Sequence, residues 1–118
     1  EGAVIIAAHP YRRRFLAEPG RAPEVRDEML ERASADGFFR ICDAIESVNG
    51  RGTDMENRFS WDLAERLGTK KTGGSDAHRP EQLGTAATRF QRTIVGLDDL
   101  IRELRAGRFR PVDLRNGH

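Results

Sequence analysis

Cysteine, tryptophan and tyrosine occur once each in 118 residues, and aromatic side chains make up only 7% of the chain. A lone thiol, Cys42, cannot close an internal disulfide, and such scarcity suits a reducing, cytoplasmic setting. The longest apolar run, Ala3 to Ala8, is far short of the roughly 20 residues that a membrane-spanning helix needs. It also lacks the basic leader and small-residue cleavage site of a secretion signal, so no membrane partner is expected. Charge of neither sign dominates: 20 Lys and Arg oppose 19 Asp and Glu, for a net +1. That balance excludes a basic nucleic-acid arm and an acidic solvating tail. There is no internal repeat and no low-complexity segment.

What remains is a highly charged chain, 33% DEKR and 37% hydrophobic, long enough for one domain at most. The apolar share is low for a globular domain and suggests an exposed or truncated surface. The chain begins at Glu1 with a buried-type strand already under way, which reads as a piece of a longer protein. "AVIIAAHP" is a continuous, β-branched run stopped by Pro10, the pattern of a central strand covered on both faces. Tyr11 to Pro23 is basic and punctuated by Pro and Gly, so it reads as a loop. A helix is predicted from Pro23 to Ala35, ended by Asp36-Gly37.

"AIESVNG", from Ala44 to Gly50, reads as a second strand. Asp54 to Leu67 follows as a helix, with Phe59, Leu63 and Leu67 along one stripe and Gly68 as its stop. "TKKTGGS" reads as a third strand and Thr85 to Phe90 as a fourth. Leu97 to Ala106 forms a helix ended by Gly107, and "RFRPVDL" is a closing strand. This alternation predicts an α/β fold, a parallel sheet or barrel.

In such folds chemistry sits just past the carboxyl ends of the strands. His9 ends the first strand, and Asp76 and His78 follow the third. If residues 75–78 are extended, side chains two apart share a face, and Asp76 and His78 would address one cation. A carboxylate with imidazoles suits zinc, manganese or iron. Each part has a plainer reading: a His before Pro is often satisfied by backbone, and Asp-X-His often only caps a turn.

"AAHPYR", "AIESVNGR", "LAERLG" and "TGGSDAHRPEQLGTAATRF" together resemble the C-terminal half of the PHP family, the polymerase and histidinol phosphatase superfamily of metal-dependent phosphoesterases. The likeness runs from about Ala3 to Leu104, and "GSDAH" is its most specific piece. It implies the C-terminal portion of a distorted (β/α)7 TIM-like barrel holding up to three divalent metal ions. The chain, residues 1–118, would then be a single partial domain without its N-terminal half. The resemblance implies that His9, Asp76 and His78 are metal ligands, three of roughly nine. The family's His-X-His motif and its further His and Glu have no match here; His118 ends the chain without a strand before it.

"HPYRRRFL" places Arg12, Arg13 and Arg14 after His9. Arg12 resembles the family's phosphate contact, since a guanidinium grips phosphate through two hydrogen bonds; Arg79 is a second choice. Arg13 and Arg14 read as solvated. Glu46 lies within an apolar strand, where an unpaired carboxylate is costly, so it should be paired, with an arginine expected, and should support ligands rather than bind metal. Asn49 has a similar supporting role, and Trp61 reads as packing.

The expected function is metal-dependent hydrolysis of phosphate esters by the parent protein, with this chain inactive alone. Phosphorylated small molecules or short nucleotides are the expected substrates. A homo-oligomer, or pairing with the missing N-terminal half, is the expected assembly. A non-catalytic PHP-like assembly module and a metal-dependent amidohydrolase are the alternatives.

Overall fold

The computed structural model describes residues 2–13 and 23–115. The expected loop from Tyr11 to Pro23 therefore falls mostly outside the described residues, as do Arg14 and His118. Within that range the fold is mixed α/β. Three strands form a parallel sheet: β1 (Ile6–Ala7), β2 (Ala44–Asn49) and β3 (Lys70–Gly74), in the order β1-β2-β3. Helix α1 (Pro23–Ala35), a one-turn helix α2 (Gly37–Arg40) and α3 (Asp54–Leu67) connect them. A second sheet, two-stranded and antiparallel, joins β4 (Ala86–Phe90) to β5 (Phe109–Asp113), with α4 (Leu97–Ala106) between them.

β2 is the centre of the molecule. Ala44, Ile45, Ser47, Val48 and Asn49 are all buried. Ile45 packs with Phe59 and Leu63 of α3, all three fully buried, and the Tyr11 ring tilts against Phe59 with centroids 4.4 Å apart. Fully burying a side chain of this size contributes about 1.5–3 kcal/mol, so this apolar group is the main anchor of α3 on the sheet.

α3 starts and stops where its chemistry requires. The Thr53 hydroxyl accepts from the Glu56 backbone N–H at 3.1 Å, while the Glu56 carboxylate accepts from the Thr53 N–H at 2.8 Å, a reciprocal cap. At the other end Gly68 takes the left-handed conformation, φ 66°, and closes the last turn.

Among the described residues β1 lies at the edge of its sheet, where a central strand was expected. Only Ile6 and Ala7 pair, with Ala44 and Ile45, and Ile5 and Ile6 are 46% and 40% exposed. Asp36 does not simply end α1. Its carboxylate accepts the Phe38 N–H at 2.9 Å and starts α2, because an Asp can cap the next turn as readily as close the last. The last two strands are antiparallel and stand apart from the parallel sheet. β4 lies against β3 through a side chain: the Thr88 hydroxyl receives the Gly73 N–H at 2.9 Å and donates to the Gly73 carbonyl at 2.7 Å.

The paired glycines of "TGGSDAH" follow from this packing. A Cβ on Gly73 would collide with the Ala87 carbonyl, and one on Gly74 would stand 2.8 Å from Glu46 Oε2. The backbone approach at Gly73 excludes any side chain, whereas at Gly74 the neighbour is the end of the Glu46 side chain. Among the described residues, no helix is long and apolar enough to cross a membrane.

Candidate functional site

The carboxyl ends of β1, β2 and β3 form one edge, since the three strands are parallel. His9 lies two residues past β1, Asn49 ends β2, and Asp76 and His78 follow β3. β2 separates the outer two strands, so His9 and the Asp76–His78 pair stand two strand spacings apart, about 10 Å. A register shift between Glu46 and Val48 sets Asn49 opposite Gly74 at this edge, and such bulges re-aim the side chains around them.

Asp76 and His78 meet by a route other than the expected extended one. Asp76 has a left-handed backbone, φ 52°, which curls the segment until His78 Nδ1 reaches the Asp76 carbonyl at 2.8 Å. Asp tolerates this conformation better than most residues because its short polar side chain bonds locally. His78 Nδ1 also stands 3.9 Å from Asp76 Oδ1.

Arg51, two residues past β2, lies over that imidazole. Its Nη1 is 2.9 Å from Nδ1 and 3.1 Å from Nε2 of His78, and 4.0 Å from Asp76 Oδ2. Guanidinium groups only donate, so Arg51 brings a fixed positive charge against both ring nitrogens of His78. The Arg51 backbone N–H is held by Asn49 Oδ1 at 2.9 Å. The sequence reading passed over Arg51, although the residue closes the quoted "AIESVNGR".

His9 is exposed and also has a positive φ, 27°. Its backbone N–H donates to Glu46 Oε1 at 2.9 Å, and the same oxygen accepts from Asn49 Nδ2 at 2.9 Å. Glu46 is thus paired, as expected of a carboxylate in an apolar strand, but its partners are amides where an arginine was expected. Two of the three non-glycine residues with positive φ in the described chain are candidate ligands, and strain of this kind clusters at functional sites.

Arg12 pairs with Glu56 at 3.8 Å, and Glu56 also accepts the Arg13 backbone N–H. Glu56 is buried and ties the turn after β1 to the first turn of α3. The Thr53-X-X-Glu56 spacing is a readable capping signature that the sequence reading did not use. Arg79 is exposed, and its backbone N–H donates to Gln82 Oε1 at 3.2 Å. Cys42 is buried; burial pushes its thiol up, and the Asp43 charge adds to the shift. Trp61 packs under Lys71, whose Nζ lies 4.9 Å from the ring centroid.

Among the described residues, no group of three or more His, Cys, Asp or Glu side chains stands where it could hold a metal ion. Asp76 and His78 supply two donors, and His9 stands across β2 from them. Zinc sites usually take at least three protein ligands. The described residues therefore do not by themselves fit the ions that the resemblance implies.

A family model described as PHP-associated matches residues 54–109, the stretch from α3 into β5 that holds Asp76, His78 and Arg79 but not His9, Arg12, Glu46 or Asn49. No curated protein and no solved structure matches the chain. The match over residues 54–109 supports a PHP-superfamily C-terminal region, the kinship that "GSDAH" carries.

Proposed function

We propose that this chain is the C-terminal part of a metal-dependent phosphoesterase built on a PHP-type (β/α)7 barrel. The observation that carries the reading is the convergence of Asp76, His78 and Arg51 on the carboxyl edge of a parallel sheet. The PHP-associated match over residues 54–109 supports it. In this reading Asp76 and His78 give two ligands, His9 gives another from across β2, and the remainder come from residues outside the chain.

Divalent ions such as zinc, manganese or iron would there supply Lewis-acid activation of a water. The chain's own part is positional. Glu46 holds the strained turn at His9, and the Asp76 carbonyl holds the His78 ring at Nδ1. Arg51, whose side chain is 30% exposed, offers a two-pronged grip to a substrate phosphate; Arg12 and Arg79 are further contacts. Phosphorylated small molecules and short nucleotides are the substrate classes, and the fragment alone is inactive.

The test uses the full-length parent protein. Metal content and hydrolysis of an aryl phosphate are measured for the parent and for Asp76→Asn. Metal occupancy should fall in the variant while its circular dichroism stays unchanged. Unchanged metal content in Asp76→Asn, or no bound ion and no hydrolysis in the parent, overturns the reading.

The exposed edge of β1 favours a second reading, a non-catalytic assembly module. Ile6 on the strand and Ile5 just before it, with Phe38 and Ile41 beyond α1, are all exposed, and an unpaired edge invites a further strand. A homo-oligomer, or pairing with an N-terminal half, would cover it. A strictly monomeric chain at high concentration in light scattering counts against that assembly.

A further inference from the structure

At the other end of the molecule, Arg89 of β4 and Arg110 of β5 are direct cross-strand partners, and both are exposed. The Gln91 N–H donates to the Arg108 carbonyl at 3.0 Å, and the Leu114 N–H to the Thr85 carbonyl at 3.0 Å. Pairs two residues apart repeat the pattern, so Arg89 and Arg110 also form a hydrogen-bonded pair, with Cα atoms about 5.5 Å apart. Their side chains leave the same face, with Gln91 and Arg108 beside them.

Like charges directly opposite one another on a sheet are destabilising. Elsewhere the chain neutralises such charge: Arg26, Arg32, Arg102 and Arg115 each lie on a carboxylate. Even Arg108, on the same face, is held by both oxygens of Glu103, at 2.7 and 2.6 Å. Among the described residues neither Arg89 nor Arg110 has an ion-pair partner. They border a cleft of about 320 Å³ whose other lining residues are Phe90, Gln91 and Phe109. Phe90 and Phe109 are themselves paired, with ring centroids 5.6 Å apart.

We infer that this cleft is an anion site for the phosphate group of a small phosphorylated ligand. Two guanidinium forks at this spacing can share one phosphate, whose charge removes their mutual repulsion. The Gln91 amide, on the same face, adds a neutral donor. The site is not the one at Asp76 and His78. Thr85, whose hydroxyl stands against Gly50 at the carboxyl edge, is four residues from Arg89, about 13 Å along an extended strand. The inference is independent of the phosphoesterase reading.

The test is titration of the 118-residue chain at low salt with inorganic phosphate, with adenosine monophosphate and with a short oligothymidylate. The arginine Nε–Hε NMR signals are followed in the parent chain and in Arg89→Gln, Arg110→Gln and the control Arg32→Gln. Phosphate and the monophosphate should shift the Arg89 and Arg110 signals together and saturably. Each of those two variants should weaken binding at least tenfold and melt no lower than the parent. Arg32→Gln should bind as the parent does. Parent signals that stay put, shift without saturating, or bind equally well in Arg89→Gln overturn the inference. Binding of the oligonucleotide alone overturns it too, since the surface would then be a polymer contact.

Discussion

Glu46 on β2 holds His9 beyond β1 by its backbone rather than by its ring, with a 2.9 Å bond from the His9 N–H to Glu46 Oε1. The same oxygen takes Asn49 Nδ2 at 2.9 Å. One carboxylate thereby fixes the turn that presents His9 and the residue that orients Arg51.

Replacing Glu46 with Ala should therefore loosen the edge at two places. The His9 N–H is near solvent, so water can replace part of what is lost, and the expected cost is about 1 kcal/mol. Amide exchange at His9 should accelerate while exchange at Ile45 in the core stays slow. Unchanged His9 protection would show that the Glu46 bond does not hold that turn.

Gly73→Ala should cost more, about 1–3 kcal/mol, because the new methyl meets a backbone carbonyl that cannot swing aside. Urea denaturation measures it. Gly84→Ala is the comparison. Nothing stands near a Cβ there, so only the backbone penalty of its φ of 77° applies. An undiminished midpoint in Gly73→Ala would mean that β4 does not sit as close to β3 as the structure places it.

The Glu103–Arg108 pair sets an acid dependence. The two hydrogen bonds from Arg108 hold the Glu103 carboxyl below its usual range. Burial opposes the shift, and the charges of Arg108, Arg92 and Arg102 reinforce it. A carboxyl lowered in the folded state contributes stability above its unfolded pKa of about 4.3 and loses it as pH falls through the folded value. Thermal unfolding at pH 7 and at pH 3 should show a smaller acid loss for Glu103→Gln than for the parent chain. Equal losses in both would remove Glu103 from the account.

Much of the fold was readable, and the reasons differ between elements. α1, α3 and α4 fall where the sequence put them because Pro23, Gly68 and Gly107 mark helix ends chemically. The edge position of β1 was hidden, since an apolar run is silent about how many neighbours a strand has. The antiparallel β4–β5 pairing was hidden too, because alternation of elements does not fix strand direction. At the site, "GSDAH" revealed Asp76 and His78, yet the turn that joins them needs a backbone conformation no periodicity shows. Arg51 escaped notice because its importance comes from where β2 ends relative to β3, a tertiary fact.

The Gly73–Thr88 clasp closes the base of the segment that carries Asp76 and His78, much as a drawstring closes a purse. Lengthening that segment beyond Gln82 should leave its mouth undisturbed. One residue inserted between Gly74 and Asp76 should instead swing both side chains off the edge, whatever its identity. Natural variation in chain length around this motif ought therefore to be lopsided, tolerated downstream of the donors and forbidden upstream.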